Sequence, residues 1–180
     1  MEFLAIKQKK EVFFQLVKHP LLQIFYGSCL IGICAQISIP LYFTPVPFTG
    51  QTCGVILVAT LLGRSKGALA ALLYLMEGAA GVPVFAGGRA GIQIFFGTTG
   101  GYLLAYPVQA YLIGWVVQRY QSGFVRVTGV SLICLMQLAV GSLWLAGFVG
   151  LSSALAMGFY PFISVELAKV FLIIGLKKGE

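Results

Sequence analysis

Long apolar runs, interrupted by short polar breaks, make up most of this sequence. A helix that crosses a membrane needs about 20 consecutive apolar residues. Six candidate runs cover approximately residues 21–43, 49–63, 67–80, 98–118, 127–148 and 161–176. The pattern therefore predicts an all-α integral membrane bundle of six transmembrane helices.

The second and third runs are short for a full crossing, and they lie beside breaks rich in glycine and proline. Irregular backbone at membrane depth is tolerated where it lines a cavity inside the protein, so these runs indicate a pocket. Tilt or local thinning of the bilayer would explain them equally well. The connection 81–97 is apolar enough to fold back onto the helices, and residues 150–160 are predicted to connect the fifth and sixth spans.

Residues 1–19 differ from the rest because lysines alternate with apolar side chains there. This pattern predicts a short amphipathic helix on the cytoplasmic membrane surface. Residues 20–178 would then form the six-helix bundle, so that residues 1–180 make a single transmembrane domain.

Composition agrees with a bilayer environment: 59% of the residues are hydrophobic, 9% are charged, and the mean hydropathy is +0.95. The net charge of +7 comes from basic residues spaced between apolar runs, which does not indicate nucleic-acid binding. Cytoplasmic loops of membrane proteins carry the excess of lysine and arginine. That rule predicts both termini on the cytoplasmic side of the cell membrane, with Arg89 as the one basic residue of the opposite loops.

The sequence does not contain the motifs of several kinds of enzyme and metal site. There is no Gly-x-x-x-x-Gly-Lys-[Ser/Thr] phosphate-binding loop, so the chain is not expected to hydrolyse ATP. His19 is the only histidine, and no metal site or catalytic triad is expected. An intramembrane enzyme that uses Glu77, Glu166 and Lys169 as acid–base groups remains the alternative from a different class.

Four charged residues are not explained by topology: Glu77, Arg89, Glu166 and Lys169. Charges near the middle of a membrane are costly and are functional candidates by default. Glu166 and Lys169 lie three apart on one helical face, and with Arg89 they could bind a small ligand that carries a carboxylate and N–H donors. Gln51 could add an amide. The alternatives are an internal ion pair, a helix-end position for Glu77 and an exposed loop position for Arg89.

Small residues also form a pattern in the first span and would let another helix approach closely. They predict a partner interface, with packing inside the bundle as the alternative. These residues are Gly27, Ser28, Gly32 and Ala35.

Three segments with ordered spacing carry a resemblance to a known family. They are Thr44–Thr52 (TPVPFTGQT), Gly81–Gly88 (GVPVFAGG) and Gly97–Leu104 (GTTGGYLL). Together they resemble the BioY family, the biotin-specific S components of energy-coupling factor (ECF) vitamin transporters. The similarity runs from about Ser38 to Trp115 and resumes at Glu166–Lys169.

The resemblance implies a substrate-binding subunit that captures biotin from outside. It would dock onto a transmembrane coupling protein (the T component) and two ATPase (A) subunits, which alone use ATP, and it would need no cofactor. Two alternatives stay open, a solitary biotin carrier or facilitator without a coupling module and an S component for another small carboxylated vitamin.

The resemblance also suggests roles for individual residues. Arg89 or Lys169 is expected to bind the biotin carboxylate, and Glu166, where the family commonly has aspartate, is expected to pair with the ureido group. Glu77 departs from the less charged pattern expected at its position. The remaining predicted binding residues are Gln51 for the ureido group and Tyr74, Phe85 and Tyr102 for the rings.

Overall fold

The protein is mostly helical in the computed structural model, which describes residues 19–175. The amphipathic helix predicted over residues 1–19 lies outside the described residues apart from His19. The helices are α1 (Pro20–Gln36), α2 (Gln51–Ala79), α3 (Gly100–Leu104), α4 (Tyr106–Arg119), α5 (Gly123–Val149) and α6 (Leu151–Gly175). The helical fold class is therefore as predicted.

The first helix is shorter than its apolar run. It ends at Gln36 because Ile37 is extended, and the chain then forms a short antiparallel ladder. In this ladder β1 (Ser38–Ile39) pairs with β2 (Phe48–Thr49). The ladder was not predicted from the sequence, and the first span was expected to continue to residue 43.

Helix α2 reverses direction in its middle. Gly63 has φ 78° and ψ −177°, a conformation that only glycine adopts readily. The side-chain amide of Gln51 donates to the hydroxyl of Tyr74 at 2.6 Å, although a straight helix would separate these residues by about 34 Å. Two antiparallel arms, 51–62 and 64–79, therefore meet at Gly63, next to the break expected at Arg64.

Prolines interrupt the later helices. Pro107 cannot donate to the carbonyl of Leu103, and the run expected over 98–118 divides into α3 and α4 at Ala105. In α6 a π-helical turn, Leu155–Phe159, precedes Pro161. The predicted connection 150–160 is wrong, because Gly150 alone makes the turn with φ 80° and α6 begins at Leu151.

The two ends of the bundle differ in charge. At one end the backbone N–H of Arg64 meets the side chain of Gln118 at 3.5 Å, and Lys66 donates to Gln23 of α1 at 2.6 Å. Arg119 and Arg126 flank the nearby turn from α4 to α5, and we call this the basic end. The β ladder and the connection 80–99 lie at the opposite end, which we call the pocket end.

Three helices within residues 19–175, namely α2, α5 and α6, are long and apolar enough to cross a membrane, and α1 is a shorter apolar helix. The main core lies where α1, both arms of α2 and α4 pack together, around Ile31, Ile56, Tyr74 and Ile113. Large hydrophobic side chains also cover much of the outer surface. Such a surface suits contact with lipid.

Candidate functional site

One cavity opens at the pocket end, where the β ladder, the connection 80–99 and helices α2 to α6 meet. The space free of protein atoms is about 580 Å³, a volume that includes open solvent at the mouth of the cavity. Aromatic and aliphatic side chains form most of the wall. The polar and charged lining residues are Thr49, Gln51, Thr52, Arg89, Thr99, Gln137, Glu166 and Lys169.

An ion pair on α6 forms the polar base of the cavity. Lys169 and Glu166 occupy one face of the helix, and their Nζ and Oε1 atoms are 2.5 Å apart. Lys169 also donates to the hydroxyl of Thr52 at 2.6 Å and to the backbone carbonyl of Thr49 at 2.9 Å. Since an ammonium group has three N–H donors, the protein itself can satisfy all three.

Glu166 has one oxygen that is occupied and one that is not. Oε1 accepts from Lys169 and from the hydroxyl of Thr52 at 2.8 Å. Oε2 is buried and has no hydrogen-bond partner among the described residues. Because burying an unsatisfied polar atom is costly, this oxygen is available to a ligand that donates a hydrogen bond.

Gln137 of α5 presents a second such oxygen. Its amide nitrogen donates to the backbone carbonyl of Tyr102 at 3.1 Å, which fixes the orientation of the side chain. Its Oε1 atom is buried without a partner among the described residues, and the residue lines the cavity. The sequence analysis missed Gln137; the available signal was an uncharged amide within an apolar span, since polar groups inside membranes are also costly.

Arg89 lies at the mouth of the cavity. Its loop is a tight turn in which Gly87 and Gly88 have φ of 69° and 70°, and Phe85 and Arg89 form a β-bridge. The Nε atom of Arg89 donates to the carbonyl of Ala86 at 3.0 Å. The two terminal nitrogens of the exposed guanidinium can therefore bind an anion at the opening.

Aromatic residues support and line the same region. Phe85 lines the cavity and packs edge-on against Tyr74, with ring centroids 5.5 Å apart. Tyr74 lies behind this wall, where its hydroxyl bridges Gln51 and the carbonyl of Val84. Tyr102 lines the cavity too, and its hydroxyl donates to the carbonyl of Gly158 at 2.9 Å.

Six of the eight ligand-binding residues predicted from the sequence line this one cavity. They are Gln51, Phe85, Arg89, Tyr102, Glu166 and Lys169. Tyr74 supports the wall from behind. Thr52, Tyr106 and Gln137 line the cavity as well, although the sequence analysis did not select them.

Glu77 is the exception, because the structure places it outside the cavity. Its side chain lies in a separate groove between α1 and the second arm of α2. There it accepts a hydrogen bond from Ser28 at 3.0 Å. The structure therefore does not bring Glu77 together with the other candidate residues.

The small residues of α1 lie inside the bundle. Gly27, Ser28, Gly32 and Ala35 are all buried, and a Cβ atom on Gly27 would lie 2.8 Å from that of Ala70. The reason is that α2 packs directly against this face. In this single chain the four residues pack within the bundle, and the partner interface on this face stays a prediction.

Comparisons with known proteins agree in one family. The family model described as "BioY family" matches residues 8–179. Biotin transporter BioY2 of Lactococcus lactis subsp. cremoris is 40% identical over 150 residues, covering 82% of this chain and 81% of that protein. Biotin transporter BioY of Thermotoga maritima is 37% identical over 159 residues, covering 85% and 92%.

The fold has a counterpart among solved structures. The crystal structure of the S-component for biotin from an ECF-type ABC transporter superposes with a TM-score of 0.78 at 27% sequence identity. The match covers 92% of this chain and 94% of that chain.

Proposed function

The chain belongs to the BioY family, as its motifs predicted, and we propose that it captures biotin and takes it up as the substrate-binding S component of an ECF-type transporter. The family is one of transporter subunits and not of enzymes. The observation that carries the proposal is the buried, unpartnered Oε2 of Glu166 in a cavity with Arg89 at its mouth. Biotin offers the matching groups, N–H donors at its ureido end and a carboxylate on its flexible chain.

The ureido end belongs at the base of the cavity. Its two N–H groups need two acceptors, and Glu166 and Gln137, which both line the cavity, each have a buried oxygen without a partner among residues 19–175. A hydrogen bond to a charged group contributes about 1.5–3 kcal/mol and one to a neutral group about 0.5–1.5 kcal/mol. Glu166 is therefore the stronger of the two anchors, and Gln51 also lines the cavity with its amide nitrogen donating to Tyr74.

The carboxylate belongs at the mouth, on Arg89. The sequence left Arg89 and Lys169 as equal candidates. Lys169 already donates to Glu166, Thr52 and the carbonyl of Thr49, whereas among residues 19–175 Arg89 donates only through its Nε atom. A guanidinium with two free nitrogens suits a carboxylate because both oxygens can be bound at once. Phe85 and Tyr102 would enclose the rings between these two ends.

Six membrane crossings, with both termini in the cytoplasm, account for the distribution of charge. The two arms of α2 supply the second and third crossings, and α3 with α4 supplies the fourth. Arg64, Lys66, Arg119 and Arg126 then fall on the cytoplasmic side, as the positive-inside rule requires. This topology opens the cavity to the outside of the cell membrane, with residues 1–180 forming one substrate-binding domain.

Delivery to the cytoplasm requires an energy source that this chain is not expected to provide. We place it in the partner subunits, a T component and two ATPases, as in transporters of the ECF type. Uptake measured with and without these subunits separates this assignment from a solitary carrier, which would need neither. Competition by other carboxylated vitamins separates biotin from the alternative substrates.

A direct binding experiment tests the proposal. The full chain is purified in detergent and incubated with radiolabelled biotin, and bound ligand is counted per protein molecule. About one biotin per chain is expected for the wild type. Glu166→Ala should reduce this binding, and Arg126→Gln at the basic end should leave it unchanged. Absence of stoichiometric binding by the wild-type protein would reject the function.

A further inference from the structure

A groove on the lipid-facing surface is separate from the biotin cavity, and we call it the side groove. It runs along α1 from Gln36 to Phe25 and is closed on its other side by Glu77 and by residues 82–84. The space in it, including its open side, is about 930 Å³. Phe25 and Ile33 on its edge are 48% and 68% exposed, so the open side faces hydrocarbon.

The side groove contains a carboxylate without a cation. Glu77 accepts one hydrogen bond, from the hydroxyl of the fully buried Ser28. Within residues 19–175 no lysine or arginine nitrogen lies within 4 Å of it. A carboxylate in an apolar groove is costly without a positively charged donor, and the described part of the chain provides no such donor.

Gln36 supplies a second acceptor in the same groove. Its amide nitrogen donates to the carbonyls of Gly32 at 3.0 Å and Val84 at 3.3 Å. These bonds hold the amide in place and leave its oxygen as the remaining acceptor of the side chain. A carboxylate and an amide oxygen are suitable partners for a group with several N–H donors and a positive charge.

The polar residues of the side groove lie at one end and its apolar residues follow along α1. The acceptors Gln36 and Glu77 lie at the pocket end of the bundle, Glu77 being close to the end of α2 at Ala79. Away from them α1 contributes Ile33, Cys29 and Phe25, and the distance along the helix from Gln36 to Phe25 is about 16 Å. A polar head followed by an apolar track matches a lipid, whose headgroup and acyl chain are joined in that order.

We infer that the side groove binds a phospholipid with a primary ammonium headgroup, of the phosphatidylethanolamine class. The ammonium donates hydrogen bonds to Glu77 and Gln36, and an acyl chain lies along Ile33 and Phe25. A primary ammonium is required because a trimethylated headgroup has the same charge and no N–H donor. The site is independent of biotin, since none of these four residues lines the biotin cavity.

Native mass spectrometry of the full chain tests this site. The protein is released from micelles that contain equal amounts of dioleoyl phosphatidylethanolamine and dioleoyl phosphatidylcholine, and retained lipids are counted. The wild type should retain the ethanolamine lipid about fivefold more than the choline lipid, as expected for the net contribution of about one hydrogen bond. Glu77→Gln should lower the ratio to about twofold or less, because an amide oxygen accepts a weaker hydrogen bond than a carboxylate does.

A matched control uses the neighbouring residue. Met76 is 60% exposed on the lipid-facing surface and does not line the side groove, so Met76→Gln adds an amide nearby while keeping Glu77. It should retain the wild-type ratio, and both variants should elute as monodisperse protein. No lipid preference in the wild type, or an unchanged preference in Glu77→Gln, would overturn the inference.

The alternative partner for the Glu77 carboxylate is a basic segment of another polypeptide. In that case Glu77→Gln would reduce co-purification with the transporter subunits while the lipid ratio stayed at the wild-type value. That result would also overturn the lipid assignment.

Discussion

Lys169 and Glu166 form an ion pair of 2.5 Å on one face of α6, and both side chains also contact the hydroxyl of Thr52 at the start of α2. This contact joins the last helix to the chain that follows the β ladder. It also holds Glu166 so that Oε1 is used within the protein, while Oε2 is buried without a partner among residues 19–175. The ion pair therefore fixes the orientation of the Glu166 carboxylate.

Removing either member of the pair should weaken biotin binding. Glu166→Ala removes the proposed acceptor for the ureido group, and Lys169→Ala leaves Glu166 buried without its cation, so each should lower the affinity by about tenfold or more. Isothermal titration calorimetry on purified protein measures both. Unchanged affinity in both variants would exclude this ion pair from the binding site.

Arg89 should recognise the carboxylate and nothing else on the ligand. Arg89→Gln is expected to lower the affinity for biotin by roughly tenfold to a hundredfold, since a charge-assisted pair is lost. The affinity for biotinamide, which is neutral at that position, should change by less than about threefold. Arg126→Gln at the basic end is the control and should leave both affinities unchanged.

Equal losses for biotin and biotinamide would contradict this role. They would show that Arg89 shapes the loop around Ala86 and does not bind the carboxylate. Lys169 would then be the remaining candidate for the carboxylate.

Gln137 and Gln109 form a natural pair of test and control. Both are buried, both carry an unpartnered Oε1 atom, and only Gln137 lines the biotin cavity. Gln137→Leu should lower biotin affinity by about fivefold to tenfold through loss of one hydrogen bond to the ureido group. Gln109→Leu should leave affinity unchanged, and a similar loss in both variants would mean that packing between α4 and α5 is responsible.

The sequence was sufficient for the helical class and for six of the residues that line the cavity. Charged residues in apolar runs are rare enough to be noticed, and for this reason Glu166, Lys169 and Arg89 were found. The same criterion also selected Glu77, which lies elsewhere, because apolar periodicity does not determine which groove a charge enters. Gln137 was missed since a single uncharged amide does not stand out in α5.

Helix ends were less predictable because they depend on contacts distant in sequence. The β ladder shortens α1 through pairing of Ile39 with Phe48, and no short-range pattern indicates that pairing. The predicted sixth span begins at Pro161, ten residues after the start of α6, because Pro161 was interpreted as a first helical residue. A π-helical turn accommodates it inside the helix instead.

The four small residues of α1 give a prediction about transport. A leucine at position 27 would meet Ala70 and Leu62, so Gly27→Leu should reduce folded protein, and biotin binding and uptake should fall together. Gly32→Leu should be milder, since its Cβ atom would first meet Val84 at 3.5 Å. Binding and uptake are measured on the same membranes. Loss of uptake alone in Gly27→Leu would instead indicate that this face contacts a partner.

The reversal at Gly63 can be tested through its backbone. Gly63→Ala introduces a side chain at φ 78° and ψ −177°, a region that costs about 1–3 kcal/mol for other residues, and the new Cβ atom would require the flexible amide end of Gln118 to move. Gly150 has φ 80° and no atom within 4 Å of its Cβ position, so Gly150→Ala carries backbone strain without a collision.

Thermal unfolding in detergent should therefore show a larger decrease in melting temperature for Gly63→Ala than for Gly150→Ala. Adding Gln118→Ala to Gly63→Ala should recover part of the difference, because it removes the colliding group and leaves the strained backbone. An unchanged melting temperature for Gly63→Ala would mean that α2 continues through residue 63. That result would also be incompatible with the hydrogen bond between Gln51 and Tyr74, and the cavity wall built on that bond would have to be revised.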